Sequence, residues 1–179
     1  YFQLVRGYTP LEAGIALIPL DITMIVIGPI SGALSDRLGA RWLSSIGLAT
    51  CGFGFVLLRT IDLDTPESFV VLALVLTGFG IGFFRSPNAS SVMASVPPER
   101  RGTATGVRST ILNTSNLVSV PITTLLMSLV IPYSALSTIV GASSVGQAEL
   151  ELMMTALELA FLVFAALNFV AAVVSPLRR

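Results

Sequence analysis

The sequence contains no histidine, no lysine and a single cysteine, Cys51. Without histidine, Ser-His-Asp and Cys-His catalysis and imidazole metal ligation fall away. Neither an enzyme nor a metal or cofactor site is therefore expected, and any proton handling falls to carboxylates. One cysteine forms no internal disulfide and says nothing about redox compartment. Charge is scarce as well: 11% of 179 residues are charged, against about 25% in soluble domains. All ten basic residues are arginines, balanced by ten acids, so the information lies in their placement.

What is present is apolar. The chain is 54% hydrophobic, with a mean hydropathy of +0.88. A membrane-crossing helix needs about 20 mostly apolar residues, and five runs qualify: Pro10–Leu34, Trp42–Leu58, Ser68–Ala94, Thr103–Ile131 and Leu150–Val174. These runs are too long for the ~10-residue alternation of a membrane barrel. The expected fold is an all-α, polytopic membrane helix bundle with no soluble domain. Between the runs lie "DRLGA", "TIDLDTPE", "VPPERRG" and a small-residue stretch from Pro132 to Gly146.

The arginines orient the bundle, because cytoplasmic loops carry the basic excess. Arg37 and Arg41 lie in the first loop, Arg100 and Arg101 in the third, and Arg178 and Arg179 in the tail. These three regions are expected in the cytoplasm. Arg6, Arg59, Asp62, Asp64, Glu67, Glu149 and Glu151 are expected outside, and Trp42 reads as an interface anchor. With five helices, Tyr1 then lies outside, yet "YFQLVRGY" lacks the build of a signal peptide. Residues 1–179 are accordingly expected to be part of a longer polytopic protein of the cell membrane.

The stretch "GPISGALSDRLGARW" concentrates the most pattern. Gly28 and Gly32 have the small-xxx-small spacing that lets helices approach, and Pro29 between them can kink a membrane helix. Asp36 is placed to cap a neighbouring helix or to pair with Arg37 or Arg41. Gly39 allows a tight turn. By itself this also describes a plain positive-inside hairpin.

The order of residues resembles the cytoplasmic signature loop of the major facilitator superfamily, G-x-L-(A/S)-D-R-x-G-R-(R/K). Gly32, Leu34, Asp36, Arg37, Gly39 and Arg41 match, and Ala40 departs where a second basic residue is common. No Gly-Pro antiporter motif follows in "VRSTILNTSNLVSVPITT", so the copy in the C-terminal half fits better. "YFQLVRGYTPLEAGIALIP" and "GFGIGFFRSPNASSVMASVPPERRGTATG" resemble stretches of the fourteen-helix drug:proton antiporter subfamily. The resemblance implies five helices of a six-helix C-terminal half, whose missing N-terminal half supplies the other wall of a central cavity. It implies alternating-access export of a lipophilic small molecule in exchange for protons, with Asp36 helping to hold the cytoplasmic face closed. The alternatives are an importer or uniporter of a metabolite, and a non-transporting scaffold or sensor. No nucleic-acid partner is expected.

Several residues are candidates for transport. Asp21 lies near the middle of the first helix and shares a face with Gly14 and Gly28, seven residues apart. A carboxylate there costs about 3 kcal/mol on insertion scales, so it must face protein or water. It is read as a proton-coupling or substrate group, or as half of a buried ion pair. Arg85, on a face with Gly78 and Gly82, is the natural partner; the alternative is snorkelling to the interface. The two glycines read as helix-packing positions. Asn113 and Asn116, with Ser109, Thr123 and Thr124, form a polar stripe that bonds to other helices or lines the substrate path. Glu158, on a fifth helix expected to be peripheral, reads as a structural pair or a snorkelling group.

Overall fold

The computed structural model describes residues 1–3, 5–131 and 146–177. Five long helices carry the fold: α1 (Pro10–Leu38), α2 (Ala40–Arg59), α3 (Glu67–Ala94), α4 (Arg101–Ser128) and α5 (Gln147–Val174). Single 3-10 turns follow at Pro98–Arg100 and Ser175–Leu177. No strand occurs among the described residues. The expected stretch Pro132–Gly146, apart from its last residue, and the tail residues Arg178 and Arg179 lie outside the described residues, as does the side chain of Glu149.

Local backbone geometry shifts several helix ends from the hydropathy runs: α1 and α2 extend into the first expected loop, while α4 stops at Ser128, short of Ile131. At the start of α1, Thr9 Oγ1 accepts from the Glu12 amide at 3.3 Å, and Glu12 Oε2 accepts from the Thr9 amide at 2.8 Å. This reciprocal capping box satisfies two free donors, and Pro10 at the first helical position has none to satisfy. At the other end α1 continues four residues past Leu34, through Asp36 and Arg37, to Leu38. Only Gly39 then separates α1 from α2; its φ of +86° is open to glycine and strained for other residues. The expected loop is a one-residue turn between two helices.

Among the described residues four helices are long and apolar enough to cross a membrane: α1, α2, α3 and the Leu150–Val174 part of α5. The fifth expected span, α4, falls outside this set by hydropathy alone. It is as long as α3, at 28 residues, but its Ser, Thr and Asn residues dilute its hydropathy, and none of its residues is buried.

α3 is the centre of the packing, with α1 on one side and α2 on another. Glycines let the backbones touch. A Cβ on Gly47 of α2 would sit 2.6 Å from the Phe84 amide nitrogen of α3, closer than any real side chain allows. Gly80 meets the Cys51 backbone in the same way, while Gly78 and Gly82 turn to α1 and meet the carbonyls of Leu20 and Met24. The expected packing role of Gly78 and Gly82 is thus met. Gly32 is likewise close to α3, where an added Cβ would lie 2.8 Å from Ser86 Oγ. Gly28 is not: nothing lies within 4 Å of its position, so only half of that small-residue pair works within this chain.

α5 packs along α2 through aromatic rings, with Phe53 and Phe169 edge to face at 5.2 Å and Phe55 beside Phe164 at 5.8 Å. It also touches α4. The helix expected at the periphery therefore has an extended partner, and α4 is the loosely held one. At the end away from Gly39, a cluster of Leu58, Ile61, Val70, Leu74 and Met154 is closed by Phe2 and Val5 of the N-terminal segment. Tyr1 donates to the Asp62 carbonyl at 3.2 Å, Arg6 to the Thr65 carbonyl, and Tyr8 to the Glu67 carboxylate. The bond to Glu67 pushes the Tyr8 phenol above its ordinary pKa. These bonds put Arg6, Asp62 and Glu67 at one end of the bundle, as the charge pattern requires.

Candidate functional site

The candidate residues fall on three surfaces. The first is the long face of α1. Leu20, Met24, Ile27 and Ser31 turn toward α3, and the buried Ser31 hydroxyl lies 3.2 Å from the Gly82 carbonyl oxygen, to which it donates. The neighbouring face, with Gly14, Asp21 and Gly28, is bare among the described residues: none lies within 4 Å of either glycine position, and Asp21 is exposed. Arg85 is also exposed, and its Nη1 donates to the Met24 sulfur at 3.9 Å. Met24 is one turn along α1 from Asp21. Among the described residues Asp21 and Arg85 form no ion pair, so the buried pair is absent and both charges stand on the open side of the bundle.

The second surface is the Gly39 end. Asp36, Arg37, Gly39 and Arg41 are all exposed there. α2 begins at Gly39 without a side-chain cap, and Asp36 makes no ion pair among the described residues. The expectation that Asp36 caps a helix or pairs with Arg37 or Arg41 is not met among the described residues: with a one-residue turn, Asp36 belongs to the last turn of α1, and α2 starts without a side-chain cap. Asp36 and Arg37 instead border an open groove with Ile30, Ala33 and Leu34. Trp42 is exposed next to them, as an interface anchor requires.

The third surface is α4. Asn113 and Asn116 are exposed, and their side chains make no hydrogen bond among the described residues. The hydroxyls of this helix bond to their own backbone, Thr123 to the Ser119 carbonyl at 2.9 Å and Thr124 to that of Val120 at 3.0 Å. Among the described residues the side chains of Asn113, Asn116, Thr123 and Thr124 make no bond to another helix. Glu158 of α5 is half-buried beside a cavity of about 330 Å³ whose other walls, including Leu17, Leu74 and Phe161, are apolar. It too lacks the structural ion pair expected of it among the described residues.

Two features escaped the sequence reading. Small polar residues converge at the Gly39 end, where Ser44, Asn88, Ser91 and Ser95 line a cavity of about 240 Å³ with Arg41. The i, i+4 spacing Ser91–Ser95 was the available signal. Arg108 was the other omission: half-buried on α4, it lines a groove of about 680 Å³ between α3 and α4 together with Arg100. Among the described residues no group of three or more His, Cys, Asp or Glu side chains converges to hold a metal ion.

Comparison with known proteins agrees with this architecture. A family model described as Major Facilitator Superfamily matches residues 1–178. The riboflavin transporter RibZ of Clostridioides difficile is 32% identical over 115 residues, covering 64% of this chain and 25% of RibZ. The uncharacterized transporter YebQ of Escherichia coli is 32% identical over 110 residues, covering 62% of this chain and 24% of YebQ. The multidrug resistance protein Stp of Mycobacterium tuberculosis is 32% identical over 109 residues, covering 61% of this chain and 20% of Stp. The aligned part thus spans a quarter or less of these relatives.

Proposed function

The chain belongs to the major facilitator superfamily, an integral, multi-pass membrane protein of a transporter family, and we propose that it supplies five helices of the C-terminal half of a secondary transporter. In this reading residues 1–179 are one wall of a central cavity, and the N-terminal half of the same protein is the other. The observation that carries it is the bare face of α1. A carboxylate near the middle of a membrane helix needs protein or water beside it, and this chain leaves Asp21 with neither a helix nor an ion partner among the described residues. The exposed Asn113 and Asn116 on α4 pose the same requirement. A second half across a water-filled cavity meets both.

The transported class we propose is a lipophilic small molecule, exported in exchange for protons. Relatives named for riboflavin transport and multidrug resistance support small organic substrates. With no histidine in the chain, Asp21 is the proton-coupling candidate, and the exposed Arg85, which meets Met24 one turn along α1 from Asp21, is the candidate to meet substrate. Asp36 and Arg37, beside the open groove on α1, would meet the other half at the cytoplasmic gate. The arginine distribution supports a cell-membrane protein with its C-terminus and the Arg37 and Arg101 regions inside. An importer or uniporter of a metabolite would use the same two-walled cavity with substrate moving inward or down its own gradient. The test is flux: the full-length protein in liposomes should extrude a lipophilic dye when a pH gradient is imposed. Dye movement that ignores the gradient contradicts proton coupling, and no movement of any substrate in a broad panel contradicts transport.

A further inference from the structure

Arg108 is a cation that neither the packing nor the proposed transport cycle uses. It stands half-buried in the first third of α4 and shares the groove between α3 and α4 with Arg100. No acid lines that groove, and neither arginine forms an ion pair among the described residues. Two unpaired guanidinium groups in one apolar groove ask for an anion with an apolar body.

The groove is also graded along its length. Arg100 lies at the Gly39 end, in the turn before α4, and Arg108 lies about two turns into α4, its Cβ tilted back toward that end. Val107, Ile111 and Leu112 then continue along α4, facing Val92 of α3. At a rise of ~1.5 Å per residue, Arg100 to Leu112 spans about 18 Å, close to the ~15 Å depth of one leaflet's hydrocarbon. On that scale Arg100 lies at headgroup depth and Arg108 about 12 Å deeper, within a wall of Ala104, Val107, Ile111 and Leu112 that also carries Asn88 of α3.

We propose that this groove seats one anionic phospholipid. Its phosphodiester lies between Arg100 and Arg108, which suit phosphate by their planar paired donors, and one acyl chain follows Val107, Ile111 and Leu112. A zwitterionic headgroup gains less, because no carboxylate in the groove receives its ammonium. The site depends on the helices described above and on no particular transported substrate.

Native mass spectrometry of the purified full-length protein tests it, with phosphatidylglycerol and phosphatidylcholine of identical acyl chains as probes. Phosphatidylglycerol should be retained preferentially. Arg108→Gln should lower its retention about fivefold, the weight of one basic residue against an anionic headgroup, and leave phosphatidylcholine unchanged. Ile111→Trp, which fills the acyl end without touching a charge, should lower retention as well and keeps the test alive if Arg108→Gln misfolds. Arg59→Gln, at the opposite end of α2, should have no effect, and excess inorganic phosphate should not displace the lipid. Unaltered retention in both groove variants overturns the proposal and points to protein covering the groove in the whole molecule. Displacement by phosphate overturns it in favour of a simple oxyanion site.

Discussion

Arg85 meets Met24 across the α1–α3 seam, with its guanidinium nitrogen 3.9 Å from the thioether sulfur, and Asp21 lies one turn of α1 beyond. The two charges are neighbours in the fold without being partners. Neutralising Arg85 should therefore leave the full-length protein folded, with a stability loss within about 0.5 kcal/mol. Asp21→Asn and Arg85→Gln should add, with a coupling below about 0.5 kcal/mol in denaturant unfolding of the purified protein. A coupling well above 1 kcal/mol would restore the ion pair.

Gly47 should be intolerant where Gly14 is tolerant. An added methyl at Gly47 meets the Phe84 amide nitrogen at 2.6 Å, and a helix backbone cannot move aside without opening the α2–α3 seam. Gly47→Ala should cost about 1–3 kcal/mol, read as a loss of monodisperse protein and an earlier melt. Gly14→Ala meets nothing within 4 Å in this chain and should leave these α2–α3 contacts intact. Equal stability of wild type and Gly47→Ala would refute the close contact.

Asp36 should matter to turnover more than to folding. It is exposed and forms no ion pair among the described residues, so Asp36→Asn removes nothing that holds these helices together. If its charge steadies one face of the transporter against the other half, its loss shifts that equilibrium by about 1–2 kcal/mol. The expected readout is slower transport at unchanged substrate affinity and unchanged melting temperature. Unaltered transport kinetics would reduce the motif to a topology signal.

Sidedness follows from the arginines and can be read with an impermeant thiol reagent in a Cys51→Ala background. Asp64→Cys, in the turn that leads into α3, should react from outside. Arg101→Cys, at the start of α4, should react only after the cytoplasmic face is exposed. Reaction with the opposite sidedness would invert the whole assignment.

The helices were legible in the sequence because runs of Leu, Ile, Val and Phe as long as Pro10–Leu34 have few other uses. Their ends were less so. Asp36 and Arg37 look like loop residues by hydropathy, yet they sit in helix because the backbone turns only at Gly39, where φ is positive. Gly78 and Gly82 were readable as packing positions from their spacing. Gly28 shares that spacing with Gly32 and still faces open space, because spacing names a face without naming what covers it. The same limit explains Asp21, Asn113 and Asn116: the sequence marks them as polar groups in apolar helices, and among the described residues their side chains meet no hydrogen-bond or ion-pair partner. Arg108 was hidden in a helix whose polar residues drew attention elsewhere.

The central claim is that Asp21 carries the proton. A coupling carboxylate must bind and release a proton as the cavity changes sides, and Asp21→Asn keeps its size and hydrogen bonding while abolishing titration. The decisive measurement is export against a gradient by the full-length protein in liposomes, set beside substrate exchange at equal pH on both sides. The account predicts that Asp21→Asn loses proton-driven accumulation while exchange survives. Accumulation against a gradient by Asp21→Asn, or by the Asp21→Asn, Arg85→Gln double variant, would contradict it.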